Sequence, residues 1–194
     1  MRRPDSESAP LSSSRSGASG DDGPQSQVLH GVKVYSEDTA YVIAVAGRYL
    51  VQVVRQQLNV TGVGLLRRAL TDLTNVYPTF GYLAVVEPEA SLLLPPDVRD
   101  GVQAMVKRFS SRFAGAAVVF EKTGFQATAL RSVVTAINFA SRATHPNKVF
   151  ADLREAISWL TPLTGGEPTA ARLLGITKLL RSNADGPPSA MPAR

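Results

Sequence analysis

Two carboxylates stand where an open α/β sheet gathers its ligands. Glu87 follows the apolar run 80–86 and Glu121 follows the apolar run 115–120. Both therefore fall beyond the carboxyl ends of expected parallel strands, where such sheets form a crevice. Facing one crevice, the pair would share a proton or hold a cation. Standing apart, each reads as a turn carboxylate, with Glu121 near enough to the next helix to favour its positive N-terminus. Lys122-Thr123-Gly124, at that same helix start, offers N–H groups to an anion.

Residue types exclude much other chemistry. The chain has no Cys, so it holds no disulfide framework, thiolate metal site or cysteine nucleophile. Two His cannot build a histidine-rich metal centre. Gly62-Val63-Gly64 begins like a dinucleotide loop, but Arg67 stands where the third Gly belongs, and neither a Walker A nor a G-x-S-x-G sequence occurs. His145, in Thr144-His145-Pro146-Asn147, reads as a solvated loop histidine more readily than as a general base. Trp159 reads as packing, not as a stacking platform for bases. No complete nucleophile–base pair can be assembled. A hydrolase or transferase therefore ranks below a binding function, with no catalytic residue, metal or cofactor expected.

These residues need elements to position them. Residues 40–45 and 49–55 are β-branched and apolar around Ala46-Gly47-Arg48, which predicts a hairpin. A weaker strand is expected at 32–35. Thr61 is the expected N-cap of a helix whose inner stripe is Leu65, Leu66, Ala69, Leu70, Leu73 and Tyr77. A strand at 80–86 precedes a helix opening at Pro95-Pro96, whose inner stripe runs from Val98 to Phe109 and Phe113. Next come a strand at 115–120, a helix over 125–142, a short strand at 148–150 and a helix capped by Asp152 with Glu155 three residues on. Residues 168–181 are compatible with one more helix. The order predicts an α/β fold: a starting β-hairpin, then alternating helices and strands with mostly parallel central strands. The central strands are apolar without alternation, as in sheets covered on both faces.

The ends differ from this core. Residues 1–27 hold eight Ser, three Gly and three Pro, and 182–194 are similarly poor in large aliphatics. Both are expected to be disordered tails around one domain at 28–181. Arg2-Arg3 leads into Pro4 and Asp5, not an apolar stretch, which fits neither a signal peptide nor a twin-arginine signal. No apolar run approaches the roughly 18 residues of a membrane span, so the expected location is cytoplasmic. The domain carries 17 Lys and Arg against 11 Asp and Glu. These are spread out, with Arg67-Arg68 and Lys107-Arg108 as the tightest groups, so no nucleic-acid patch is expected.

Three segments carry a family resemblance: Leu83-Ala84-Val85-Val86-Glu87-Pro88, the run from Gly124 to Thr135, and the run from Val149 to Leu160. Together they resemble the STAS-like proteins, named for sulfate transporters and anti-sigma-factor antagonists, and within them small bacterial members of the kind found in myxobacteria. The resemblance spans about residues 38–161 and implies a STAS-like mixed sheet in a non-enzymatic module that binds proteins or small ligands. In the anti-sigma antagonists an Asp-Ser pair after the central strand carries a phosphorylatable Ser. Here residues 87–97 contain no such pair, so the phosphoswitch does not transfer to Ser91.

Two functions follow. The first is a regulatory or protein-interaction module. Its contact surface would be the helix stripe Arg131, Thr135, Asn138 and Arg142, or the loop from Glu87 through Ser91 to Asp97, with Thr123 and Glu121 beside it. The alternative is a carrier or sensor holding a small apolar or anionic ligand between sheet and helices. A hydrophobic cavity under the helix at 125–142 would favour the alternative.

Overall fold

The computed structural model describes residues 30–122, 124–165 and 167–182. Both expected tails lie outside them, except that Ser182 ends the last helix. Strands β1 (Val32–Glu37), β2 (Tyr41–Ala46) and β3 (Tyr49–Val54) form an antiparallel meander. Gly47, at φ 54°, and Arg48 make the two-residue turn between β2 and β3. Positive φ is a conformation in which a Cβ clashes, and Gly has none. Then β4 (Phe80–Val86), β5 (Phe113–Val119) and β6 (Asn147–Phe150) add in parallel, and the sheet order is the chain order, β1 to β6. The mixed α/β sheet expected from the sequence is the sheet observed.

The helices between parallel strands are α1 (Val60–Val76), α2 (Pro96–Phe109) and α3 (Phe125–Ser141). Each crossover steps in the same direction across the sheet. With one handedness throughout, all three helices must lie on one face, and there they pack. Helices α4 (Leu153–Thr164) and α5 (Ala170–Ser182) follow β6 and cover the other face. The weaker expectations, β1 and α5, are both present.

Two local expectations are corrected. Thr61 lies inside α1; the cap is Asn59, whose Oδ1 accepts from Gly62 N at 2.8 Å and from the Tyr41 hydroxyl at 3.1 Å. Asn at that position satisfies an otherwise orphaned helix N–H. Phe113 does not extend the α2 stripe. One 3₁₀ turn, Ser110–Arg112, intervenes and Phe113 opens β5, pairing with Phe80 across the ladder and packing edge-on against its ring at 5.1 Å. Strand pairing outweighs the helical period there.

The two faces are packed differently. On the α4/α5 face one continuous cluster joins Val42, Val51, Leu83 and Ala117 to Ile157, Leu160, Leu173 and Leu180. Helix α4 lies so close that a Cβ on Gly81 would meet Thr164 Cγ2 at 2.8 Å, and one on Gly115 would meet Leu163 Cδ1 at 2.7 Å. Gly81 and Gly115 are register partners, so together they form a shallow floor for the helix. On the opposite face the core is divided. One cluster gathers Ile43, Leu50 and Phe80 under α1 and α2, and a small second one gathers Ala84, Val118 and Phe120 under Ala127 and Leu130 of α3. Helix α3 packs chiefly against α2, not against a strand.

Candidate functional site

The crevice beyond the strand ends is filled. Glu87 and Glu121 do come together, but around Arg181 of α5. Its Nε and Nη2 donate to the two Glu87 oxygens at 2.7 and 2.8 Å, and its Nη1 and Nη2 donate to Glu121 at 3.1 and 3.0 Å. Both carboxylates raise the guanidinium pKa beyond its ordinary value, Glu87 more than Glu121. Arg55 Nη2 donates to the Leu180 carbonyl at 2.7 Å, where a cation complements the helix's negative end. The two carboxylates thus neither share a proton nor stand apart as turn residues: with Arg181 they form a latch holding the end of α5 against the sheet. Such bidentate charge-assisted pairs are among the stronger side-chain hydrogen bonds.

The neighbouring loop residues are also engaged locally. Exposed Ser91 accepts from Leu93 N at 3.3 Å through Oγ, and its own N–H donates to the Gln56 carbonyl at 2.6 Å. Asp97 lies in the first turn of α2 and accepts from Val98 N at 2.9 Å. Thr123 lies outside the described residues.

The α3 stripe is divided by the helix's orientation. Arg131 and Thr135 face out, and Arg142 is an exposed left-handed cap at φ 50°. Asn138 turns partly inward and its Oδ1 accepts from Asn147 Nδ2 at 3.3 Å. The outer side of α3 also exposes Phe125 and Phe139, at 87% and 88%.

Beneath α3 is a half-enclosed, mainly apolar cavity of about 150 Å³. Its floor is the sheet, at Ala84, Ala116 and Val118; its walls come from α1 and α2, and its roof is Val133, Val134 and Ile137 of α3. Those three roof residues are only half-buried, because the space below them is unfilled. Its polar groups are few. Tyr82 donates its hydroxyl to Gln52 Oε1 in a short hydrogen bond, and burial pushes the phenol pKa well up. At the β6 side lie Asn138, His145 and Asn147, and Asn147 Oδ1 is buried without a partner. His145 is not the solvated loop residue expected. Its ring lies 4.7 Å from that of Phe113 and its Nδ1 is 3.3 Å from Ser110 Oγ. Burial lowers the imidazole pKa below the ordinary 6.5, against an opposing hydrogen bond to the Ser110 backbone.

Sequence reasoning passed over Gln52, Tyr82, Asn147 and Arg181. Gln52 had a signal: it is the one polar residue in the apolar run Tyr49–Val54. Arg181 had none, since its partners are 94 and 60 residues away. Trp159 packs beside Phe150 with ring centroids 5.5 Å apart, in the packing role expected. Among the described residues no helix is long and apolar enough to cross a membrane.

The sequence matches no family model and no curated protein. Among solved structures the chain is similar to an uncharacterized protein from the DUF3478 family, with a SpoIIAA-like fold, from Shewanella loihica PV-4. The identity is 16% and the TM-score 0.45, covering 67% of this chain and 93% of that one.

Proposed function

We propose that the chain is a non-enzymatic, STAS-like sensor module of the small bacterial kind. It holds a small apolar molecule between sheet and α3 and presents the outer face of α3 to a protein partner. The observation that carries this reading is the apolar cavity of about 150 Å³ under α3. Interiors ordinarily pack to the density of organic crystals, so a roofed apolar space of this size calls for an occupant. The roof helix also carries exposed Arg131, Thr135 and Arg142 with Phe125 and Phe139. An occupant that props or releases α3 changes how those groups are displayed, which is population shift by differential contact.

Native mass spectrometry of the purified full chain, read beside the denatured sample, tests the first half. Extra mass that disappears on denaturation is the expected result. The bare chain mass in every preparation would return the function to a protein-interaction module alone. For the second half, the double reversal Arg131→Glu with Arg142→Glu is expected to weaken partner capture with no change in Tm. A collapsed Tm would show that these residues are structural and sink the surface assignment.

A further inference from the structure

We infer that the occupant of the cavity under α3 is an uncharged, ring-sized molecule bearing a hydrogen-bond acceptor that Gln52 reads. The inference rests on the ligand-binding reading above and adds the chemical class. Three observations carry it.

The first is charge. None of the side chains around the cavity is Lys, Arg, Asp or Glu. An ion entering such a space loses its hydration with no counter-charge to replace it. His145 does not supply one, since burial favours its neutral form. The anionic half of the sequence expectation is therefore not supported in this cavity.

The second is the free hydrogen-bonding capacity. Gln52 is 2% exposed in a central strand, and Tyr82 donates to its Oε1. Among the described residues its Nε2 donates to no protein group, and Gln52 lines the cavity, so an amide donor is open to an occupant. An occupant with a carbonyl or ether oxygen can accept from that donor in place of water. On the β6 side, Asn147 Oδ1 is a buried acceptor with no partner. A carboxylate would meet that acceptor with like partial charge.

The third is size. An apolar cavity of roughly 150 Å³ accepts a single aromatic ring the size of benzene, and this one is of that volume. A longer molecule would have to leave its remainder outside.

Three probes of one branched outline separate these requirements: acetophenone, which is neutral with an acceptor; cumene, neutral without one; and benzoate, ionised at pH 7. Binding to the full chain is measured by isothermal titration calorimetry, with chemical-shift mapping to place each probe. Acetophenone is expected to bind about three- to tenfold more tightly than cumene, the worth of one net hydrogen bond, and benzoate not measurably. The double variant Gln52→Leu with Tyr82→Phe, which removes the amide without freeing the Tyr82 hydroxyl, is expected to abolish the preference for acetophenone over cumene. If that variant does not fold, the wild-type order of acetophenone, cumene and benzoate decides by itself. Benzoate binding as well as acetophenone, or an acetophenone preference that survives the double variant, would overturn the assignment of ligand class and leave the cavity as a ligand site. Failure of all three probes to bind would overturn the ligand-binding reading as well.

Discussion

The two faces of this sheet are built from alternate residues of the same strands, yet one is solid and the other hollow. Ala116 and Ala117 are neighbours in β5 and both are almost completely buried. Ala117 belongs to the continuous cluster beneath α4, whereas Ala116 lines the cavity beneath α3. Under α4 the paired glycines Gly81 and Gly115 bring helix and sheet into direct contact. Under α3 Val133, Val134 and Ile137 border a space. Dispersion attraction is lost wherever an apolar atom has no neighbour on one side, so the hollow face forgoes stability that the solid face retains. The division teaches that close packing and open space are assigned to opposite sides of one sheet, and that it can be broken experimentally one side at a time.

The largest contrast is expected from truncation. Leu160→Ala, on the solid face, removes a fully buried side chain and is expected to cost about 2–5 kcal/mol. Ile137→Ala removes a half-buried one already facing the cavity, and the expected cost is under about 1.5 kcal/mol. Urea unfolding of both variants measures the difference; equal losses would mean that α3 packs as tightly as α4. A subtler contrast comes from enlargement at adjacent positions. Ala117→Val is expected to cost about 1–3 kcal/mol by overpacking. Ala116→Val should be tolerated within about 0.5 kcal/mol, because the added methyls enter empty space, while weakening acetophenone binding. If Ala116→Val destabilises as much as Ala117→Val, the cavity is not available to side chains and the contrast is lost.

How much of this was legible in the sequence depends on whether the signal was local. The order of elements was readable because each strand and helix carries its own period, and the Asp152 cap holds as written, accepting from Glu155 N at 2.9 Å. Thr61 falls two residues past the true cap and Phe113 belongs to a strand, since Asn59 is an equally good cap and β pairing with Phe80 competes with the α2 period. The meeting of Glu87 and Glu121 was legible from topology; what they meet was not, because Arg181 arrives from the far end of the chain. A cavity leaves even less trace. Val133, Val134 and Ile137 form the same apolar stripe whether the helix rests on a sheet or above a space, and only Gln52, out of place between Val51 and Val53, hinted that something polar would be met there.

The smallest expected effect is electrostatic and concerns the edge of the hollow face. The His145 imidazole is held below its ordinary 6.5 by burial beside Phe113. The unfolded chain therefore binds a proton at higher pH than the folded chain does. Between the two pKa values the unfolded state holds more protons, so stability rises with pH through that window. The contribution is full above about pH 6.5 and is lost as pH falls towards the folded-state value, because protonation puts a charge against the apolar wall. Urea midpoints from about pH 7 to about pH 5.5 are expected to fall for the wild type and to fall less steeply for His145→Gln, which keeps a polar group near Ser110 but does not titrate. The same charge would enter the cavity's β6 side, so acetophenone affinity is expected to weaken over that interval in the wild type alone. Identical slopes for the two proteins would place His145 in water after all, and would move the boundary of the hollow face inward to Phe113 and Asn147.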